Sequence, residues 1–304
     1  MRPLVSVICI SFNHALYIEE ALKSVFEQSY PNIEVIILDD GSGDGSAEVI
    51  RTLISDKKIS FIHHQTNLGY TKTFNQGLAL ATGEFVIDFA LDDVMLPNFM
   101  ASGIDRFEKE PVSTGVVYSN ADYIDANSKV IGNHKEILLK KKLVSELPDG
   151  NVFEQVIRRY FICTPTMIIR KQVFDRLGGY DETLTYEDFD FWVRSSRYWN
   201  YAYLDEVHMR KRKLQTSMSA SRYHHHQNDQ LETTLNVCKK AFHLCKSKAE
   251  LRALNERLNY EYRQCIRNDA KELAEEYKDL LQLMGGHTHM VSKLVNYLKL
   301  DFHR

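Results

Sequence analysis

The sequence predicts an α/β fold: a doubly wound, mostly parallel sheet with flanking helices, followed by a C-terminal α-helical appendage. Two observations carry the sheet. Continuous apolar runs at residues 4–10 (LVSVICI), 33–38 (IEVIIL) and 85–89 (FVIDF) are rich in β-branched side chains, the pattern of strands covered on both faces. Stretches with helical spacing separate these runs, so strand and helix alternate. A third observation carries the appendage: from about Asp229, apolar residues recur at steps of three and four, the stripe of a packed helix.

In order, residues 4–10 are the first strand, and 15–28 are helical with Ile18, Leu22, Val25 and Phe26 on one side. Residues 33–38 run into DDGSGDGS; 46–54 form a second helix and 59–63 a short third strand. A helix over 73–81 stops at Gly83, and 85–89 is the fourth strand. Beyond Asn98 the pattern loosens. Residues 115–118 read as a strand, NADYIDANSKVI as a hairpin and 135–150 as a polar, Lys-rich connection. FICTPTMIIR (161–170) reads as a strand broken by Pro165, and LGGYDETLTYEDFDFWVR as a glycine turn entering an acidic helix start. In the appendage, Leu231, Leu235, Cys238, Phe242 and Cys245 share one stripe. Ser247 and Glu250 make a capping box that opens a second helix. A further stripe from Ile266 to Met284 is closed by Gly285 and Gly286. The expected domains are 1–228 and 229–304.

Composition narrows the partners. The chain has 304 residues, 44% hydrophobic and 26% charged, which suits one large α/β domain plus a smaller piece. Its 41 acidic and 38 basic residues leave a net charge of −3, so no basic excess points to nucleic acid. Five cysteines, none in a CxxC, argue against a disulfide framework or structural zinc and fit a reducing cytoplasm. The N-terminal apolar run stops at Asn13 and reads as a strand rather than a signal peptide. No run reaches the roughly 20 apolar residues that span a bilayer. The last segment, MVSKLVNYLKLDFHR, is amphipathic and mildly basic, so peripheral docking at the inner face of a membrane is one role open to it. The helical stripes are expected to pack as core or to form a homodimer.

Two carboxylate pairs stand out. Asp39–Asp40 follows the second strand and Asp92–Asp93 the fourth. Ligands of such sheets bind outside the carboxyl ends of the strands, so the pairs belong to one rim despite their separation in sequence. A carboxylate buried without a partner is costly. Two pairs at one edge make a hard, oxygen-rich site suited to a divalent cation and hydroxyl-bearing ligands. Each also has a plainer role: Asp39 and Asp40 before Gly41 suit a turn, and acids near Thr185 suit a helix N-terminus. GSGDGS lacks the GxGxxG spacing, and two acids precede it, so it does not read as a dinucleotide loop.

The ordered set VSVICISFN, SYPNIEVIILDDGSGDGS, NLGYTKTFNQGLALATGEF, ALDDVMLP, GGYDE and YEDFDFWVR resembles the inverting family-two glycosyltransferases of the bacterial surface-polysaccharide type, over roughly residues 4–219. The resemblance implies a GT-A fold and transfer of a sugar from a nucleoside diphosphate, UDP first, to a hydroxyl of a saccharide or lipid-linked glycan acceptor. By the same resemblance Asp40 recognises the nucleobase, and Asp92–Asp93 is the DxD-like element that touches the ribose and a Mn²⁺ or Mg²⁺. Asp188, with Glu187 beside it, stands at the catalytic base. Ser11, Asn13, Asp39, Asp40, Lys72, Asp92 and Arg212 are the residues expected to line the donor, and Asp93 with Asp92 the metal. Ala90 stands where many members carry the first Asp of DxDD, Phe74 where relatives often place an Arg, and Leu214 where an R-x-H pattern would place the His after Arg212. His208 and the run His224–His226 are the remaining candidates for a third ligand, and Arg210–Lys213 (RKRK) for the diphosphate.

The chemistry suits these residue types. An ionised Asp accepts from a uracil N3–H. A cation held by Asp93 stabilises charge on a departing diphosphate. A positioned carboxylate takes the proton from the attacking hydroxyl, a contribution of about 10²–10⁴-fold. The alternative reading is a non-catalytic nucleotide-sugar or glycan-binding module of the same fold. A nucleotidyltransferase is disfavoured, because ISFNHALYI has no Gly/Arg/Lys-rich triphosphate loop.

Overall fold

The computed structural model describes residues 2–214 and 229–285. In the first half, strands β1 (Val5–Ser11), β2 (Ile33–Asp39), β3 (Ser60–His63) and β4 (Phe85–Ala90) alternate with helices α1 (Ile18–Phe26), α2 (Ser46–Leu53) and α3 (Tyr70–Leu80). β1 is central. Its Val5 pairs with Ile33 of β2 on one side and Phe85 of β4 on the other, both in parallel, and β3 extends β2 in parallel. Every residue of β1 is buried. Ile8 and Ile10 face one apolar cluster while Val7 and Cys9 face the other, which is why the run shows no in–out alternation.

The second half brings in antiparallel pairing. After β5 (Val94–Met95) and α4 (Phe99–Phe107), strand β6 (Thr114–Ile124) turns back into β7 (Val130–Asn133) as the expected hairpin. Then come α5 (His134–Lys140), α6 (Phe153–Arg158), β8 (Ile168–Arg170), α7 (Lys171–Leu177), α8 (Asp188–Ser196) and β9 (Asn200–Arg212). β8 is antiparallel to β4 and β6, whereas β9 is parallel to β6 and antiparallel to β5. The strand order is β3-β2-β1-β4-β8-β6-β9-β5, with β7 on β6. Three local expectations change. FICTPTMIIR keeps only Ile168–Arg170 as strand, because Pro165 sits in a short 3₁₀ turn, Thr164–Thr166, where its fixed φ and missing N–H suit a turn rather than a ladder. The polar connection holds α5, capped by the Asn133 side chain accepting from the Glu136 amide. Helices α4 and α6 form where no apolar stripe was read.

Helices α9 (Asp229–Leu244), α10 (Lys248–Arg267) and α11 (Lys271–Leu283) follow, and α10 opens with the Ser247–Glu250 capping box. Leu231, Leu235, Cys238, Leu258 and Tyr277 lie in the same buried cluster as Phe174, Phe189 and Trp192. Buried Arg257 pairs with Glu261 at 3.1 Å and lies 4.0 Å from the Tyr160 ring centroid. The C-terminal helices therefore continue the core of the sheet-bearing part. Segment 287–304, with its expected membrane docking, and residues His224–His226 lie outside the described residues. Among the described residues no helix is long and apolar enough to cross a membrane.

Candidate active site

The carboxyl ends of β2, β1 and β4 stand side by side. The Asp40 amide donates to the Ser11 carbonyl at 2.8 Å, and the Leu91 amide to the Ile10 carbonyl at 2.8 Å. Asp39 is fully buried, and its carboxylate accepts from the Ser42 amide (3.0 Å) and hydroxyl (2.6 Å) and pairs with His63 Nδ1 (3.0 Å). This is the turn-building role. Gly41 has φ 74°, and a Cβ there would sit 2.5 Å from the Thr66 backbone, so only glycine lets residues 66–69 close over the pair. Through that closure Asp40 accepts from the amides of Leu68 (2.9 Å) and Gly69 (3.0 Å), and from His64 Nδ1 (2.9 Å). Burial works against its charge, but the Leu68, His64 and Gly69 hydrogen bonds prevail and hold its pKa below the usual range. Asp40 is a fixed anion at the floor of the rim.

The loop after β1 is laced to the same turn. Asn13, with φ 57°, accepts from the Gly43 amide at 3.0 Å and donates its own amide to Ser42 Oγ at 2.8 Å. Ser11 Oγ is buried and has no hydrogen-bond partner among the described residues. Lys72 is exposed on α3, and no hydrogen bond or ion pair joins it to this cluster among the described residues.

Asp92 and Asp93 occupy the turn between β4 and β5. Asp93 is 3% exposed and accepts the Arg212 amide at 2.7 Å. Burial, then repulsion from Asp92, push its pKa up to about 8, against the pull of Lys211 and Arg212. A cation would relieve that strain, and two carboxylates suit Mg²⁺ or Mn²⁺, which take only one or two from protein and the rest from phosphate and water. Among the described residues no third His, Cys, Asp or Glu joins them. His14 Nε2 stands 4.0 Å from Asp92 Oδ2. His208 does not fit as a ligand. It precedes Arg212 by four residues on the same strand, about 13 Å at strand rise, and it pairs with Glu206 at 3.3 Å.

The guanidinium of Arg212 is spent inside the protein. It donates to the Asp92 carbonyl (2.8 Å), the Asp125 carbonyl (2.9 Å), Ser128 Oγ (3.1 Å) and Glu20 (2.7 Å), and lies over Tyr17 at 4.5 Å. It braces the Asp92–Asp93 turn.

Glu187 and Asp188 begin α8. Glu187 is 6% exposed, and its Oε2 has no hydrogen-bond partner among the described residues. Burial, then the charges of Asp188 and Asp88, hold its pKa well above the usual range. Asp88 is a residue that the motifs did not flag. It accepts from Tyr70 (2.6 Å) and Tyr180 (2.9 Å), and burial brings its pKa to about 7 against those hydrogen bonds. The signal was a lone acid inside an apolar strand, two residues before Ala90 and so on the same face. Tyr70 links the groups: its neighbour Gly69 binds Asp40, its hydroxyl binds Asp88, and the charges of Glu187 and Asp188 bear on it. Lys211 links them from β9. Burial acts to lower its pKa, yet Cys163, Asp93 and Asp188 together raise it. The carboxylates at the ends of β2 and β4 and at the start of α8 thus border one region.

Comparison with known proteins gives the family and the fold. The family profile for Glycosyl transferase family 2 matches residues 6–178. An uncharacterized glycosyltransferase of Haemophilus influenzae is 28% identical over 243 residues, covering 75% of this chain and 70% of that protein. S. aureus TarS 1-349 in complex with UDP-GlcNAc superposes with a TM-score of 0.66 at 20% identity, over 85% of this chain and 72% of that one. The mannosyltransferase PcManGT from Pyrobaculum calidifontis in complex with GDP-Man and Mn²⁺ gives 0.65 at 17% identity, over 99% and 81%. These likenesses carry the fold, the GT-A type that the motifs imply. With a family match over more than half its length, the chain belongs to glycosyl transferase family 2 and is a glycosyltransferase.

Proposed function

We propose that the enzyme moves a sugar from a nucleoside diphosphate, UDP first, to a hydroxyl of a saccharide or lipid-linked glycan acceptor, with inversion at the anomeric carbon. The observation that carries this reading is the gathering of Asp40, Asp93 and Asp188 around Tyr70 and Lys211. TarS, seen with UDP-GlcNAc, favours UDP; PcManGT, seen with GDP-Man and Mn²⁺, favours a divalent metal.

In this reading Asp40, held ionised by fixed amides, accepts from the base. Ser11 Oγ, buried without a hydrogen-bond partner among the described residues, is a contact to the sugar donor. Asn13 and Asp39 shape the turn that supports them, and Arg212 positions the Asp92–Asp93 turn rather than touching the diphosphate. Asp92 and Asp93 would hold Mn²⁺ or Mg²⁺, whose contribution is to neutralise charge on the leaving diphosphate. Asp188 takes the proton of the acceptor hydroxyl as that oxygen attacks from the face opposite the leaving group. Glu187, buried beside it and raised in pKa, keeps the second charge of the pair from building up. Donor turnover scored by released nucleoside diphosphate tests the reading. It expects Asp188→Asn to bind UDP normally and to lose about 10²–10⁴-fold in rate. Wild-type transfer by that variant overturns the base assignment.

A further inference from the structure

We propose that Lys240, on the C-terminal helix α9, is a positioning residue for the catalytic base: one ammonium fastens both ends of the segment that delivers Glu187 and Asp188. The inference rests on the proposed role of Asp188. Lys240 Nζ donates to Asp181 Oδ2 at 2.6 Å and to Asp190 Oδ1 at 2.6 Å. These carboxylates bound a ten-residue stretch, 181–190, with the two acids inside it.

Each end is fixed further inward. Asp190, with no exposed surface, gives its other oxygen to Arg194 Nε at 2.6 Å, and Arg194 also donates to the carbonyls of Leu177 (2.9 Å) and Gly179 (3.0 Å). Asp181 gives its other oxygen to the amide (3.0 Å) and hydroxyl (2.6 Å) of Thr183. Burial opposes the Asp181 charge, yet the bonds from Lys240 and Thr183 bring its pKa down to about 2. Both carboxylates are thus hydrogen-bonded partners of one ammonium. Between them Glu182, Thr183 and Thr185 are exposed, while Leu184, Glu187 and Phe189 are buried and Glu182 accepts from Asn75 Nδ2 at 2.9 Å, so the ammonium fixes the two ends of a stretch that packs in between. A third contact comes from α9 as well: the Thr185 amide reaches Thr233 Oγ1 at 3.4 Å.

The donor-side groups Asp40 and Asp93 sit on other elements and do not depend on Lys240. Loss of the staple should let the base drift without loosening the donor, and a displacement of about 1 Å can cost on the order of 10²-fold in rate. A lysine holds two carboxylates with two of its three N–H donors, and an arginine can do the same.

The test compares Lys240→Met, Lys240→Arg and Glu250→Gln in the full chain. The last breaks the Arg197–Glu250 pair (2.8 Å) and serves as the stability control. UDP release is followed with Mn²⁺ from UDP-GlcNAc, UDP-glucose and UDP-galactose, alongside hydrogen exchange of residues 181–190. Lys240→Met should lose about tenfold to hundredfold in kcat with donor KM within about twofold, and exchange faster in that segment alone. Lys240→Arg should regain most of the rate, and Glu250→Gln should keep it. Wild-type kcat in Lys240→Met, no regain in a folded Lys240→Arg, or equal rate losses in Lys240→Met and Glu250→Gln would overturn the role. Undiminished UDP release by Asp188→Asn would remove the base assignment, and this role with it.

Discussion

The backbone amide of Arg212 donates to Asp93 Oδ1 across 2.7 Å, so the last residue of β9 holds the carboxylate that closes the DxD-like turn. The side chain of the same arginine grips the Asp92 carbonyl and, through Asp125, Ser128 and Glu20, ties that turn to the β6–β7 hairpin and to α1. One residue braces the turn from two directions.

Arg212→Ala should therefore cost roughly 2–4 kcal/mol, since it strips several buried acceptors of their donor at once. Arg212→Lys should recover only part of that, because a single ammonium cannot replace the planar fork. Chemical denaturation at fixed pH measures both. A loss below about 0.5 kcal/mol in Arg212→Ala would show that the brace is not structural.

Asp88 predicts a pH signature. Its folded pKa is raised to about 7 by burial, whereas an unfolded Asp titrates near about 3.9. Between about pH 4 and 7 the folded state keeps a proton that the unfolded state releases. Stability should fall as pH rises through that window and level off above it. Asp88→Asn removes this contribution, so its unfolding free energy should change less than wild type between pH 5 and 8. Parallel curves for the two proteins would argue against a protonated Asp88.

Asp93→Asn should weaken Mn²⁺ binding in the presence of UDP, read by calorimetry or electron paramagnetic resonance. It should also lower UDP release by 10²-fold or more, of the order attached to a lost charge-stabilising group. Chelation of wild type with EDTA should give the same phenotype, reversed by added Mn²⁺. Full activity in the chelated enzyme would remove the metal from the account.

Ser247→Ala tests a feature remote from the rim. The hydroxyl accepts from the Glu250 amide at 3.1 Å, and its loss should cost about 1 kcal/mol with no change in UDP release.

That capping box was legible because its signal is local: two residues three apart before an apolar stripe. The strands β1, β2 and β4 were legible for a related reason, since burial on both faces leaves an unbroken apolar run that ends at the rim. The Asp40 and Asp93 positions followed from the ends of those strands. What local pattern could not supply were contacts across the chain. β8 is three residues whose partners are β4 and β6, and Pro165 cut its apparent run short. Helix α6 is a short element that gains its burial from α8 and α10. Asp88 needed Tyr70 and Tyr180, 18 and 92 residues away, before its role could be seen. Arg212 read as a diphosphate ligand because RKRK is basic; only the fold shows its guanidinium turned inward, with Lys211 on the side that faces Asp93 and Asp188.

The most direct measurement is UDP release from a UDP-sugar donor in Mn²⁺ by wild type and by Asp188→Asn, with UDP affinity taken on the same samples. A folded variant that binds UDP as wild type does, yet turns over at least about 10²-fold more slowly, is the predicted result. Equal turnover in the two proteins would contradict it.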